Sequence, residues 1–190
     1  IRAASRTPAV GQRPTSVPIY QTATFTSADA EELAEVVSDA RAGYSYTRLS
    51  NPTSRALGDA FAEISGAEAG TSLSSGMGAV HAALGSQLRA GDRVVGPLAA
   101  YGSTRKLLTD TFARFGVRVD LVDMTDNAAV AAAIAEAPTR VVYAETIANP
   151  TTVVADHATV ARLAHEHGAT YLVDNTFASP YVCRPVDLGA

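Results

Sequence analysis

Short runs of consecutive apolar residues recur through the second part of the chain, and each is separated from the next by a helical pattern. Continuous apolar runs of this length are typical of buried strands. They predict strands at 93–96, 117–122, 140–144 and 170–174, and the same alternation along the chain predicts a short strand at 71–74. The helices are predicted at about 76–88, 103–115, 127–136 and 156–167. Buried strands that alternate with helices predict a mostly parallel sheet covered by helices on both faces. The fold class is therefore α/β.

The first fifty residues do not follow this alternation. Residues 1–27 contain three prolines and few periodic apolar positions, which predicts an extended arm. Asp29 and Glu32 have the spacing of a capping box and predict a short helix after the arm. We therefore divide the chain into an N-terminal arm with its helix, residues 1–50, and an α/β domain, residues 51–190.

A further helix begins where the two parts meet. Asn51 is a favoured N-cap residue, and Pro52 suits the first helical position because it needs no N–H partner there. Leu57, Phe61 and Ile64 follow with helical spacing. They give this helix one apolar face.

Charge and composition exclude several classes of function. The net charge of −4 and the absence of a polybasic stretch argue against binding to nucleic acid or to an anionic membrane surface. No apolar run is long enough to span a bilayer. Cys183 is the only cysteine, so an internal disulfide is excluded and a reducing, cytoplasmic location is expected.

Small and polar residues follow directly after several predicted strands. They lie at 74–78, 100–102, 145–150 and 174–176. In open α/β sheets, ligands bind beyond the carboxyl ends of the strands. The shared position of these four groups at one edge of the sheet is stronger evidence for a site than any one group alone.

The first group begins a predicted helix with Ser75, Gly76, Met77 and Gly78. Backbone N–H groups at a helix N-terminus bind anions, and small residues allow a close approach. A dinucleotide fingerprint is excluded because His81 occupies the third glycine position. From these residues alone, the segment is either a phosphate site or a tight turn between strand and helix.

The other groups contain side chains suited to binding or catalysis. Asp174 ends an apolar strand and needs a partner there: either a cation such as a protonated pyridine nitrogen, or ordinary hydrogen bonds. The ring of Tyr101 either lies over a flat ligand or packs in the core. Glu145 and Asn149 either line a site or organise their own loop.

Two histidines near the end of a predicted helix suggest a metal site at first sight. His165 and His167 are two residues apart, however, and residues at that spacing do not share a helical face. Ala169 occupies the place of the second histidine of an H-E-x-x-H motif. We therefore predict no metal site.

Six segments of the chain match one family in order and spacing. They are Pro18-Ile-Tyr-Gln-Thr22, Tyr46-Thr-Arg48-Leu-Ser-Asn-Pro-Thr53, Ser75-Gly-Met-Gly78, Tyr101-Gly102, Glu145-Thr146 with Asn149-Pro150, and Asp174-Asn-Thr176. Over nearly its whole length the chain resembles the N-terminal half of the Cys/Met-metabolism enzymes that depend on pyridoxal 5′-phosphate (PLP). The family includes cystathionine γ-synthase, cystathionine γ-lyase, methionine γ-lyase and the homoserine sulfhydrylases. The resemblance implies the PLP-dependent aminotransferase-like fold, called fold type I.

The resemblance also implies how PLP would be bound. Gly76 and Met77, beside Ser75, would donate backbone N–H groups to the phosphate. Tyr101 would stack on the pyridine ring and exchange protons with the substrate. Asp174 would pair with the ring nitrogen and keep it protonated. Tyr101 and Asp174 are therefore the predicted catalytic residues.

Four further residues are implied to bind the cofactor. Asn149 and Thr176 resemble residues that lie near the ring hydroxyl. Tyr46 and Arg48 resemble a pair that reaches the phosphate of the neighbouring subunit, a task suited to the bidentate fork of arginine. The resemblance therefore implies a homo-oligomer, with a dimer of dimers expected, in which residues 1–50 contact another subunit.

The family also needs a lysine for the Schiff base and an arginine for the substrate carboxylate. The resemblance places both beyond Ala190. Lys106, the only lysine in the sequence, stands at a position that the family does not use. We therefore expect the sequence to be a segment of a longer chain, with the PLP-binding domain incomplete.

Three functions compete. Residues 48–53 are most similar to methionine γ-lyases and the related sulfhydrylases. We prefer γ-elimination on methionine or a related γ-substituted amino acid. Ser103, however, occupies a position where methionine γ-lyases usually have cysteine. The first alternative is γ-replacement, as in a cystathionine γ-synthase or an O-acylhomoserine sulfhydrylase, or the reaction of a cystathionine γ-lyase. The second is a non-catalytic protein that binds phosphate and forms no Schiff base.

Overall fold

A computed structural model describes residues 14–190. Residues 1–13, which form the first part of the predicted arm, lie outside the described range. The helices are α1 (Ala30–Val37), α2 (Pro52–Ser65), α3 (Gly76–Gln87), α4 (Gly102–Lys106), α5 (Asn127–Glu136), α6 (His157–Glu166) and α7 (Ser179–Val182). A π-helical segment (Leu107–Phe112) extends α4, and a 3₁₀ helix (Pro185–Leu188) follows α7. The strands are β1 (Arg93–Pro97), β2 (Arg118–Val122), β3 (Val141–Glu145) and β4 (Thr170–Asp174).

The four strands form one parallel sheet in the order β2-β1-β3-β4, so the predicted α/β fold is confirmed. From β1 the chain passes to β2 on one side, and β3 then adds to the other side of β1. The connections that leave β1 and β3 therefore diverge, which makes the carboxyl ends of these strands a topological switch point. Ligand sites of open α/β sheets form at such points.

Apolar residues cover both faces of the sheet, as the continuous apolar strands predicted. Adjacent residues of one strand point to opposite faces. Val94 and Val141 therefore pack with α3 and the π-helical segment, whereas Val95 and Val142 pack with α5 and α6. All four side chains are fully buried. This packing fixes the strand ends that position the site.

The predicted strand at 71–74 is wrong. These residues have no regular secondary structure and no strand partner within the described chain, and Leu73 is 43% exposed. The segment contains one apolar residue, Leu73, and a segment becomes a strand only when a neighbour satisfies its backbone N–H and C=O groups. The segment instead runs as an irregular connection into α3.

The predicted helix near residue 52 is confirmed, with Asn51 as its N-cap and Pro52 at its first position. Its apolar face is not covered by the described chain. The exposures of Leu57, Phe61 and Ile64 are 52%, 54% and 54%. A contiguous exposed apolar face of this kind is a candidate surface for association.

The described part of the arm lies against the start of α2. Thr24 and Tyr46 form an antiparallel bridge. The side chain of Asn51 donates a hydrogen bond to the carbonyl of Tyr20 at 2.9 Å. The arm nevertheless leaves apolar surface open, since Ile19 is 84% exposed.

Among residues 14–190, no helix has the length and apolar composition required to cross a membrane. The same residues contain no group of three or more His, Cys, Asp or Glu side chains arranged to hold a metal ion.

Candidate functional site

A cleft of about 460 Å³ lies at the carboxyl ends of β1, β3 and β4, at the switch point of the sheet. Its lining residues are Ser75, Gly76, Met77, Val80, Tyr101, Glu145, Ile147, Asn149, Asp174, Thr176 and Phe177. Seven of the nine residues predicted to bind the cofactor are among them. The parallel sheet explains this convergence, because all strands of such a sheet end at the same edge.

One wall of the cleft is the N-terminus of α3. The Oγ atom of Ser75 caps this helix by accepting the N–H of Gly78 at 3.0 Å. Gly76 and Met77 are the first two residues of the helix, so their N–H groups have no partner inside it. A Cβ atom added to Gly76 would meet no atom within 4 Å. The turn therefore presents two backbone donors with open space before them, as an anion site requires.

Asp174 lines the same cleft from the end of β4. Its Oδ1 atom accepts hydrogen bonds from the N–H of Thr176 at 3.0 Å and from the Thr176 hydroxyl. Its Oδ2 atom lies 3.4 Å from the hydroxyl of Tyr143, so that oxygen keeps most of its capacity to accept. The two carboxylate oxygens therefore differ: Thr176 fixes one, and the other is available to a cationic ligand.

Tyr143 lies on β3 beside both acidic side chains of the site. Burial raises the pKa of its hydroxyl above the usual range, and the carboxylates of Asp174 and Glu145 raise it further. The hydroxyl therefore remains a proton donor toward Asp174. Its ring belongs to the core on the α3 side of the sheet, so this contact comes from a rigid element.

Tyr101 occupies the N-cap position of α4, is 43% exposed as a residue and lines the cleft. Its backbone N–H donates to Oε1 of Glu145 at 2.7 Å. The other oxygen, Oε2, accepts the N–H of Asn149 at 2.9 Å. One carboxylate therefore joins the loop after β1 to the loop after β3.

Four cleft residues were given no catalytic or cofactor-binding role from the sequence: Val80, Glu145, Ile147 and Phe177. The apolar three carry no signal of a site in a sequence, since isolated apolar residues normally belong to the core. Glu145 did offer one, because a carboxylate that ends a buried strand needs hydrogen-bond partners. One donor, the Tyr101 N–H, lies 44 residues away in the sequence, whereas Asn149 lies four residues after Glu145 in the same loop. The contact with Tyr101 depends on the tertiary structure, so the sequence did not predict it.

Tyr46 and Arg48 are not brought into the cleft of their own chain. They line a separate depression of about 600 Å³ together with Tyr20 and Thr22. The Arg48 guanidinium lies 5.3 Å from the centre of the Tyr46 ring. Within residues 14–190, Arg48 forms no ion pair, so its charge is available to another molecule.

The charged residues that line the cleft are both acidic, Glu145 and Asp174. Lys106 and Ser103 are exposed on α4 and do not line it. Among the described residues, the cleft therefore offers helix N–H groups to an anion but no cationic side chain. A phosphate bound here would gain from a cation supplied by another part of the protein.

All 190 residues match one family, described as Cys/Met metabolism PLP-dependent enzyme. The chain belongs to that family. An L-methionine gamma-lyase of Pseudomonas putida is 46% identical over 91% of the chain, and a probable cystathionine gamma-synthase of Herpetosiphon aurantiacus is 39% identical over 98%. The chain spans 43% and 57% of these two relatives.

Solved structures of the family agree with the fold. A Campylobacter jejuni protein provisionally assigned as an O-acetylhomoserine (thiol)-lyase superposes with a TM-score of 0.89 at 32% identity. The match covers 95% of the chain and 44% of that protein, whose structure contains N′-pyridoxyl-lysine-5′-monophosphate. Fold type I is therefore the fold of this PLP-dependent family member.

The residues of the cleft fit PLP. The free N–H groups at the start of α3 suit its phosphate, and the available oxygen of Asp174 suits a protonated ring nitrogen. The Tyr101 ring supplies an aromatic surface beside the cleft. The individual roles of the predicted site residues remain predictions.

Proposed function

We propose that the protein containing this chain catalyses PLP-dependent γ-elimination on methionine or a related γ-substituted amino acid. The observation that carries the proposal is the convergence of the α3 N-terminus, Tyr101 and Asp174 on one cleft at the switch point. The 46% identity to an L-methionine gamma-lyase supports the choice of reaction.

In this proposal the chain's own residues bind and orient the cofactor, while bound PLP supplies an electron sink for a substrate carbanion. Gly76 and Met77 bind the phosphate through their N–H groups, beside Ser75. Asp174 holds a proton on the ring nitrogen through its available oxygen. Tyr101 lies over the ring and moves protons at its hydroxyl.

We further propose that the active protein is a homo-oligomer, at least a dimer and expected to be a dimer of dimers. The cleft lacks a cationic side chain in its own described residues, whereas Arg48 is exposed and lies in a separate depression. Tyr46 and Arg48 would therefore contact the phosphate held by a second copy. Asn149 and Thr176 would stay with the ring of their own subunit.

The single cysteine supports the cytoplasm as the proposed location. Cys183 is a free thiol in the structure. Free thiols persist in reducing compartments and are less suited to oxidising ones.

γ-Replacement is the second candidate function, and two observations favour it. Ser103 occupies the position where methionine γ-lyases usually have cysteine, and Ser103 does not line the cleft. The solved structure with a TM-score of 0.89 is one assigned to O-acetylhomoserine and thiol substrates. In a replacement enzyme, the γ-substituent would leave the bound substrate as it does in γ-elimination, and an added thiol would then form the new bond at the γ-carbon.

Product analysis of the full-length protein tests both functions. With methionine alone, γ-elimination gives a thiol, ammonia and a 2-oxo acid, whereas γ-replacement needs an added thiol and an activated homoserine. We expect the purified protein to be yellow, and borohydride to abolish its long-wavelength absorbance. Products that appear only with O-acetylhomoserine and a thiol would select replacement. A colourless protein that binds no PLP would overturn both candidates.

A further inference from the structure

The Glu145 side chain has an unusual environment for a carboxylate. It is 7% exposed and forms no ion pair with the residues that the structure describes. Removing a carboxylate from water is costly unless hydrogen bonds compensate for the lost hydration. At Glu145 that compensation comes from two backbone N–H groups, one on each carboxylate oxygen.

The two donors belong to the two loops that diverge at the switch point. Tyr101 follows β1 and is the N-cap residue of α4, although its own side chain forms no capping hydrogen bond. Its backbone N–H donates to Glu145. Asn149 follows β3 in the loop after Glu145 itself. Both residues also place their side chains on the cleft.

Glu145 is itself held rigidly. It is the last residue of β3 and pairs in register with Asp174 on β4. The same two strands also hold Tyr143, which contacts Asp174. A displacement of the Glu145 carboxylate would therefore change the positions of Tyr101 and Asn149 relative to Asp174.

We propose that Glu145 is a positioning residue that holds the Tyr101 and Asn149 loops at a fixed separation across the cleft. The proposal rests on the cofactor and substrate roles given above to Tyr101 and Asn149. A glutamine at this position has one carbonyl oxygen and one NH₂ group. Its NH₂ group would face an N–H donor, so only one of the two loops would stay held.

Residue-resolved hydrogen–deuterium exchange of the full-length protein, with and without PLP, tests the proposal through Glu145→Gln. Glu166→Gln is the matched control, because Glu166 is exposed on α6 and, among residues 14–190, pairs only with Arg162. The Leu98 N–H, which donates to the Val122 carbonyl at 2.8 Å, is an internal reference. We expect exchange at Tyr101, at Asn149 or at both to rise about 10–100-fold in Glu145→Gln. Exchange at Leu98 should stay unchanged.

The same variants are assayed for turnover. We expect kcat to fall at least about tenfold in Glu145→Gln and to stay at the wild-type value in Glu166→Gln. Unchanged exchange at both amides would overturn the proposal, and so would faster exchange with an unchanged kcat. If Glu145→Gln fails to fold, Glu145→Asp replaces it, because its shorter side chain keeps the charge but cannot reach both loops.

The exchange measurement also separates this proposal from the proposed function. A wild-type protein that bound no PLP would overturn the function. Its Tyr101 and Asn149 amides would still report whether Glu145 holds the two loops.

Discussion

At the scale of single residues, the site depends on how each carboxylate is held. Thr176 binds one oxygen of Asp174 through both its N–H and its hydroxyl. This turn fixes the side chain in one orientation, and its second oxygen stays available. Because these two hydrogen bonds hold the Asp174 side chain, a substitution that removes its charge can keep its orientation. The effect of the charge can therefore be measured separately from the effect of the orientation.

Asp174→Asn makes that separation. The asparagine Oδ1 atom can keep both Thr176 bonds, while an NH₂ group replaces the oxygen proposed for the ring nitrogen. We expect PLP to remain bound through its phosphate, and kcat to fall by about 10–100-fold because a charge-assisted hydrogen bond is lost. Absorbance of bound cofactor and steady-state kinetics measure the two effects. Asp110→Asn, an exposed change on the π-helical segment, is the control, and near-wild-type turnover in Asp174→Asn would disprove the role.

At the scale of elements, two glycines let α2 approach the segment that leads to the turn proposed to bind phosphate. Gly58 is buried on α2, and a Cβ atom there would lie 2.5 Å from the carbonyl oxygen of Gly70. A Cβ atom on Gly70 would lie 2.2 Å from the carbonyl oxygen of Gly58. A Cβ atom at either position would overlap a carbonyl oxygen, so neither position accommodates a side chain without a shift of the backbone. The position of α2 is therefore coupled to the chain five residues before Ser75.

Gly58→Ala tests this packing. The new methyl group would force α2 and the segment around Gly70 apart, and overpacking of this kind typically costs about 1–3 kcal/mol of the free energy of unfolding. We also expect weaker PLP binding, because the displaced segment leads into the turn at Ser75. Urea unfolding and cofactor titration measure these effects.

Gly85→Ala is the matched control for the same chemical change. Gly85 is exposed on α3, and its added Cβ atom would be 4.0 Å from the ring of Phe112. A helical alanine there is expected to stabilise by about 0.5–1 kcal/mol. Equal stability of the two variants would contradict the proposed glycine contact.

At the scale of the whole molecule, several surfaces point to a partner. The apolar face of α2, formed by Leu57, Phe61 and Ile64, is more than half exposed. The arm also exposes Ile19. Arg48 lies on the same part of the chain, with its charge available. These features fit a second copy that covers the apolar surface and receives the guanidinium.

Arg48→Ala is expected to weaken PLP binding in trans. Loss of a charge-assisted phosphate contact should raise the Kd for PLP by about 10–100-fold. Mixing Arg48→Ala chains with chains inactivated at the Schiff-base lysine should restore activity, because one site of each hybrid dimer has both an intact lysine and an intact Arg48. Cofactor titration and the activity of the mixed sample measure the two effects.

Arg55→Ala is the control for the Arg48 variant. Arg55 is also exposed, but it pairs with Asp59 on α2, so its loss should leave PLP binding unchanged. A fully active monomer would contradict the assembly, and so would a mixture that regains no activity.

Much of the fold could be read from local patterns in the sequence. The apolar runs at Val94-Val95 and Val141-Val142 predicted strands buried on both faces, because each residue of such a strand needs apolar cover. Asn51 and Pro52 predicted the start of α2 through capping chemistry that acts within a few residues. The candidate residues Ser75, Asp174 and Tyr101 could be selected because ligands of open α/β sheets bind at the strand ends. Each of these inferences depends on neighbours in the sequence or on a rule that holds for any parallel sheet.

The tertiary structure decided the contacts between residues that are distant in the chain. Residues 71–74 were predicted as a strand from the alternation of strands and helices, but they lack a neighbouring strand in the described chain. The local pattern therefore predicted the wrong structure there. Glu145 could be recognised as a carboxylate at a strand end, and its contact with Asn149 lies within its own loop. Its contact with Tyr101, in contrast, depends on the strand order. Strand order brings the loops after β1 and β3 together through packing of the whole sheet. The sequence therefore determined which chemical groups stand at the sheet edge, and packing between distant elements decided which of them touch.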